Sequence, residues 1–182
     1  MTRIPEAQRD DFSGDLLEAF DAVNANGKPI GPGSITIHSP KLAHLRLPVS
    51  SYVRWNMDVD AQYTELAILV AARALDCAYV WNAHAVVAAE AGVSRTLIDA
   101  LRDKQPIPSE PTAQVALTNF GLELVGDHKV SDATYKAAHD SFGTKALVEL
   151  TSLMGHYSQN AMLVAAFDVQ LPEKLNTTVL PV

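Results

Sequence analysis

Three side chains able to exchange protons stand close together in the sequence: Glu65, Cys77 and His84. They lie in the stretch from Thr64 to Arg102, TELAILVAARALDCAYVWNAHAVVAAEAGVSRTLIDALR, and Cys77 is the only thiol of the chain. Between Leu66 and Leu75 the one charge is Arg73. A helix that is apolar all round is a buried helix. A carboxylate at its head is costly to desolvate unless something pairs with it, so the ionisation of Glu65 is expected to be perturbed. Carboxylate, thiol and imidazole together would make a proton relay, which is the equipment of acid–base catalysis.

Helical geometry orders the other two groups. Seven residues make two turns, so Cys77 and His84 share a face about 10 Å apart along the axis and do not touch in a regular helix. Trp81 lies between them on that face, with Val80 on its flank. Glu65, from the preceding helix, is the obvious group to come between them. Each residue alone also reads as structural: a glutamate capped by a helix end, a core cysteine, a satisfied core histidine. The three together favour function, because perturbed ionisable groups gather at sites.

The elements that must position these groups are helical. Apolar residues at helical spacing run from Phe12 to Val23, and Asn24–Gly27 ends that helix. Met1–Asp10 is polar and is expected to be loose. Gly27–Gly33, GKPIGPG, is a loop without phosphate-binding spacing, and Ile35–Ile37 reads as an extended continuation of it. Ser39-Pro40 is a helix start, and Pro48 is expected to kink or end the helix it opens. Asp58 and Asp60 favour the N-terminus of the Glu65 helix, Asp76 breaks it from the next, Gly92 ends that one, and Ser94 caps a third through Arg102. Gln105–Pro111 is a proline-rich hinge. Thr112–Val125 is apolar-periodic, Ser131 caps a helix that Gly143 stops, and Thr144 opens a long apolar helix. No strong strand pattern appears, so the class is all-α. A faint echo, Glu65 and His84 against Glu149 and His156, hints at duplicated helical units. His156 and Tyr157 are either pocket-lining or partly buried helix residues.

Composition narrows the function classes. At 182 residues the chain can bury a core without disulfides or metals. Its 48% apolar content fits a globular protein, and a formal charge of −7 argues against nucleic acid as a partner. A lone cysteine fits a reducing cytosol, the N-terminus lacks a signal-peptide core, and Arg73 interrupts the most apolar run short of a membrane span. The expectation is a cytoplasmic domain. His38, His44, His128 and His139 follow no metal-ligand spacing, so no metal is assigned.

Glu65, Cys77 twelve positions on, Tyr79, Trp81, His84 and the AGVS turn at Ala91–Ser94 resemble the carboxymuconolactone decarboxylase family, whose fold is that of the alkylhydroperoxidase-D proteins. HSPKLA upstream, SDATYKAAHDSFGTKALVELTSLMGHY downstream and the exit Val169–Pro172 extend the likeness to roughly residues 35–174. Residues 1–34 are then an N-terminal extension with one helix, and 175–182 a tail. The family's peroxidase branch has a glutamate, a CxxC pair and a histidine at this spacing. Glu65, Cys77 and His84 match, whereas Val80 stands at the second cysteine position. The Tyr79-x-Trp81-x-x-His84 string resembles the decarboxylase-like branch.

The resemblance implies a lyase of aromatic-compound catabolism acting on a small carboxylated lactone or oxo-acid. In that reading Glu65, Cys77 and His84 are catalytic, Tyr79 and Trp81 line the substrate pocket, no metal or organic cofactor is needed, and the assembly is a homotrimer or hexamer. Decarboxylation needs a proton for the carbanion that CO₂ leaves, and an imidazole is suited to supply it near neutral pH. A single-cysteine, peroxiredoxin-like thiol peroxidase using Cys77 is the alternative. A non-catalytic helical binding or assembly module is the third reading. The apolar helices Leu66–Leu75 and Ala146–Phe167 are expected to expose surface for self-association.

Overall fold

A computed structural model describes residues 2–25, 27–109 and 112–181. In chain order the helices are α1 (Gly14–Asn24), α2 (Pro32–Thr36), α3 (Pro40–Ser51), α4 (Ala61–Ala74), α5 (Ala78–Glu90), α6 (Arg95–Arg102), α7 (Ala113–Gly121) and α8 (Asp132–Phe167), the last broken into two helical pieces at Gly143, whose φ of 71° is non-helical. Single π-turns follow α3 (Tyr52–Asn56) and α7 (Leu122–Asp127). Among the described residues there is no strand, and the class is all-α.

The core is built on α4. Every residue from Thr64 to Arg73 is buried, and α5, α7 and α8 pack around it. Leu66, Ile68, Leu69 and Val70 are fully enclosed, which contributes about 1.5–3 kcal/mol for each such side chain. Asp60 starts the helix by accepting from the Gln62 N–H at 3.1 Å. The lone charge in the apolar run is paired inside the protein, although its buried Nε–H has no partner among the described residues. Arg73 donates to the carbonyls of Arg102 and Pro181, each at 2.9 Å, and pairs with Asp76. One guanidinium thereby ties the end of α4 to the end of α6 and to the C-terminal tail, where Leu180 is buried. A second, smaller cluster joins Ala7, Phe20, Val23, Ile37 and Ala43, with α1 on α3 and α2 against α8.

Several expectations need correction. Ile35 and Thr36 are helical, not extended: Gly31 takes a left-handed φ of 55° and Pro32 occupies the first turn of α2, a start signal hidden inside a glycine-rich loop. Pro48 does not end α3, which runs on to Ser51; the irregularity emerges downstream, in the π-turn. The N-terminus is docked, since Arg3 bonds the carbonyls of Phe167 and Ala166 at 2.9 Å and Ala7 is buried. The Leu66–Leu75 run leaves almost nothing for self-association, because α4 is the centre of the monomer. Exposed apolar side chains lie on α8 within Ala146–Phe167 as expected (Val148, Met162), and also on α3 and its π-turn (Leu45, Val49, Trp55). Glu110 and Pro111, at the end of the proline-rich hinge, lie outside the described residues, as do Met1, Asn26 and Val182.

Gly121 marks the tightest approach in the core. A Cβ there would sit 2.5 Å from the Val70 side chain and 2.8 Å from Met154. Gly155, on α8, has open space around the same position. Gly121→Ala is therefore expected to destabilise by about 1–3 kcal/mol, whereas Gly155→Ala should stabilise by about 0.5–1 kcal/mol through helix propensity. Urea midpoints of the two variants test this; equal shifts of the same sign would contradict the packing described.

Candidate active site

The chain turns between α4 and α5 at Asp76, whose φ of 50° is left-handed. The turn is closed by the Cys77 N–H on the Ala72 carbonyl at 2.8 Å. This places Glu65, in the second turn of α4, against His84, two turns into α5. His84 Nδ1 lies 2.8 Å from Glu65 Oε2. The other carboxylate oxygen, Oε1, accepts from Arg54 at 2.5 Å. Arg54 comes from the π-turn after α3 and is itself held over the Trp55 ring, 4.0 Å from its centroid. Three elements thus converge on one carboxylate, whose side chain is 3% exposed, while His84 is 14% and Arg54 15% exposed. From α8, Tyr157 presents its ring edge-on to His84, with centroids 5.1 Å apart.

The electrostatics follow from the pairing. Burial pushes the Glu65 carboxyl up, but the His84 and Arg54 donors outweigh it and hold the group below its ordinary value. Glu65 is therefore ionised at neutral pH and can only accept. Nδ1 of His84 must then be the donor to it, which leaves Nε2 as the nitrogen that exchanges protons. Tyr157 is pushed up to about 12, first by burial and also by the Glu65 charge, against the opposing pull of Arg54. Its phenol stays protonated. Arg54 and Glu65 cancel, so a proton on His84 makes the cluster singly positive.

Cys77 is buried at the N-cap of α5, and burial raises its thiol against the opposing effect of the Val80 and Tyr79 backbone N–H groups. Its thiol makes no hydrogen bond to Glu65 or His84 among the described residues, so the bridge foreseen between Cys77 and His84 exists on the His84 side alone. Tyr79 packs its ring on Gly31, where a Cβ would lie 2.6 Å away. Trp81 is 1% exposed in the core, and its indole N–H has no partner among the described residues. Val80 is buried in the same cluster. Among the described residues no group of three His, Cys, Asp or Glu side chains could hold a metal ion. No helix there is long and apolar enough to cross a membrane.

Arg54 was missed in the sequence although a signal existed. It is the only Lys or Arg between Arg46 and Arg73, and a glutamate buried in an apolar helix needs a cation. Tyr157 was noted only as a possible pocket residue; nothing in its spacing connects it to His84.

The depressed Glu65 ionisation has a definite sign in stability. Its contribution is present above the ordinary glutamate value of 4.5 and is lost as pH falls through the lower folded value. The gap in thermal midpoint between the parent and Glu65→Gln should be widest at neutral pH and close on acidification below that value. A gap independent of pH would mean that the carboxylate is not held ionised.

Residues 40–118 match the carboxymuconolactone decarboxylase family, a span that contains Arg54, Glu65, Cys77 and His84. No curated protein matches the chain in sequence. Among the solved structures that share its fold are two peroxidase-related proteins. One is an uncharacterized peroxidase-related protein from Ralstonia eutropha JMP134, described as an alkylhydroperoxidase AhpD core. It has a TM-score of 0.69 and 14% identity, over 94% of this chain and 93% of that one. The other is an uncharacterized peroxidase-related protein from Silicibacter sp. TM1040, with a TM-score of 0.70 and 10% identity, over 96% and 94%. At these identities the likeness shows an AhpD-like fold and nothing finer.

Proposed function

We propose that the carboxymuconolactone decarboxylase family domain carried by this chain is an acid–base enzyme whose proton donor is His84, oriented by Glu65. The observation that carries this reading is the two-sided grip on one buried carboxylate: His84 Nδ1 at 2.8 Å and Arg54 at 2.5 Å. A carboxylate that fixes one imidazole nitrogen leaves the other to move protons, the arrangement general acid–base catalysis requires. Arg54 keeps Glu65 ionised, and the cluster with His84 protonated carries one positive charge, suited to an anionic substrate. For a carboxylated lactone or oxo-acid, the bond between carbon and the departing carboxylate breaks and CO₂ leaves. The electron pair stays on carbon, delocalised into the adjoining carbonyl, and the proton on His84 Nε2 is transferred to it. Solvent then reprotonates the imidazole.

A second reading is a one-cysteine thiol peroxidase. The peroxidase-related names of both structural neighbours favour it over a lyase. The thiol's environment weighs the other way. A peroxidatic cysteine attacks as thiolate, and burial raises the Cys77 thiol. With Val80 where a second cysteine would stand, an internal disulfide cannot form, so turnover would depend on an external thiol.

The two readings separate in one experiment. Parent, His84→Ala, Glu65→Gln and Cys77→Ser are assayed on a panel of carboxylated lactones and oxo-acids, and for peroxide consumption with a dithiol. Under the acid–base reading His84→Ala lowers lactone or oxo-acid turnover by about two to four orders of magnitude, Glu65→Gln lowers it less, and Cys77→Ser is mild. Catalytic peroxide consumption that vanishes in Cys77→Ser would establish the peroxidase reading instead. If His84→Ala melts lower yet keeps its rate per folded molecule, His84 is structural.

A further inference from the structure

A half-buried cation on α3 has only neutral partners among the described residues. Arg46, on α3, donates to Thr36 Oγ1 and to Asn160 Oδ1, each at 3.2 Å. Among the described residues no carboxylate pairs with it. Its guanidinium is substantially desolvated, which pulls its ionisation down. A partly buried guanidinium without a counter-charge is costly. Here all three members of the contact line one cleft of about 310 Å³, between α2, α3 and α8.

The rest of the cleft completes a donor set on an apolar floor. Thr36 commits its own proton to the Pro32 carbonyl at 2.9 Å, so it can accept from Arg46 but donates nothing into the cleft. Asn160 accepts through its oxygen, which leaves its amide N–H₂ to donate. Ser50 stands 3.5 Å from His156 Nε2. His156 is lowered to about 4, chiefly by burial and further by Arg46, so at neutral pH it adds no charge. Arg46 has five N–H donors in a planar fork, and the two contacts to Thr36 and Asn160 leave the others free. Val23, Ala43 and Leu47 supply apolar wall.

We propose that this cleft is a binding site for a small apolar monocarboxylate, separate from the Glu65–His84 pair. One uncompensated cation matches one negative charge, and the fork of Arg46 with the Asn160 amide fits two carboxylate oxygens. The apolar wall and the volume fit a body of about one ring, well within the range of small-molecule pockets. Tyr157 touches both neighbourhoods: its ring centroid is 5.5 Å from that of His156, which lines the cleft, and 5.1 Å from that of His84. The site stands on Arg46 and its neighbours and does not depend on which reaction His84 performs.

The test is calorimetric titration of the full chain at neutral pH with benzoate and with its neutral isostere benzamide. Saturable binding of one benzoate per chain is expected, with benzamide at least about tenfold weaker, the usual effect of losing a charge-assisted hydrogen bond. Arg46→Met should weaken benzoate to the level of benzamide, and Arg46→Lys should fall between. Glu65→Gln should leave benzoate affinity within about twofold, so failure of the acid–base reading would not disturb this result. Absence of saturable benzoate binding overturns the proposal, as does equal affinity for benzamide or unchanged binding in Arg46→Met. If the Arg46 variants do not fold, Asn160→Ala decides the matter: it should weaken benzoate while Glu65→Gln does not, and unchanged benzoate affinity in Asn160→Ala overturns the proposal.

Discussion

A carboxylate buried in the middle of an all-helical core must be paired or neutralised, and Glu65 is paired twice. Its position in the second turn of α4, with a side chain 3% exposed, makes that pairing the condition on which the neighbouring elements are arranged. α5 has to return close enough to bring His84 to one oxygen. The segment after α3 has to bring Arg54 to the other. Removing either partner would leave a buried charge partly uncompensated, a loss of about 3–5 kcal/mol when a buried ion pair is broken from one side.

This constraint gives a physical reason for two local irregularities. The left-handed Asp76 permits a turn short enough for α4 and α5 to face each other. The π-turn at Tyr52–Asn56 interrupts the regular helical progression where Arg54 must point inward, and such turns recur at functional sites. Tyr157 then covers His84 from α8, so the site draws on four separate segments of the chain. Apolar packing on α4 stabilises the scaffold; the charges determine how the scaffold is bent.

Much of this was legible in the sequence because periodicity and punctuation are local. The boundaries of α4, α5 and α6 follow from Asp60, Asp76, Gly92 and Ser94, and the Glu65–His84 pair follows from placing a polar residue on each of two apolar helices. What escaped was non-local. Arg54 could be found only by asking where the counter-charge of Glu65 comes from. Tyr157 reaches His84 across 73 residues of chain, and no spacing rule spans that distance. A shared helical face suggested a shared site for Cys77; at the N-cap of α5 its buried thiol makes no hydrogen bond to Glu65 or His84 among the described residues. Pro48 misled as a stop signal, since α3 runs on past it to Ser51.

The central claim is that ionised Glu65 fixes the imidazole of His84 with its proton on Nδ1, leaving Nε2 as the exchanging nitrogen. Nitrogen-15 NMR of histidine-labelled protein tests it directly, at a pH where the ring is neutral. The geometry predicts the Nδ1–H tautomer for His84, and a changed tautomer balance in Glu65→Ala. A parent spectrum showing the proton on Nε2, unaltered by the loss of Glu65, would contradict the account.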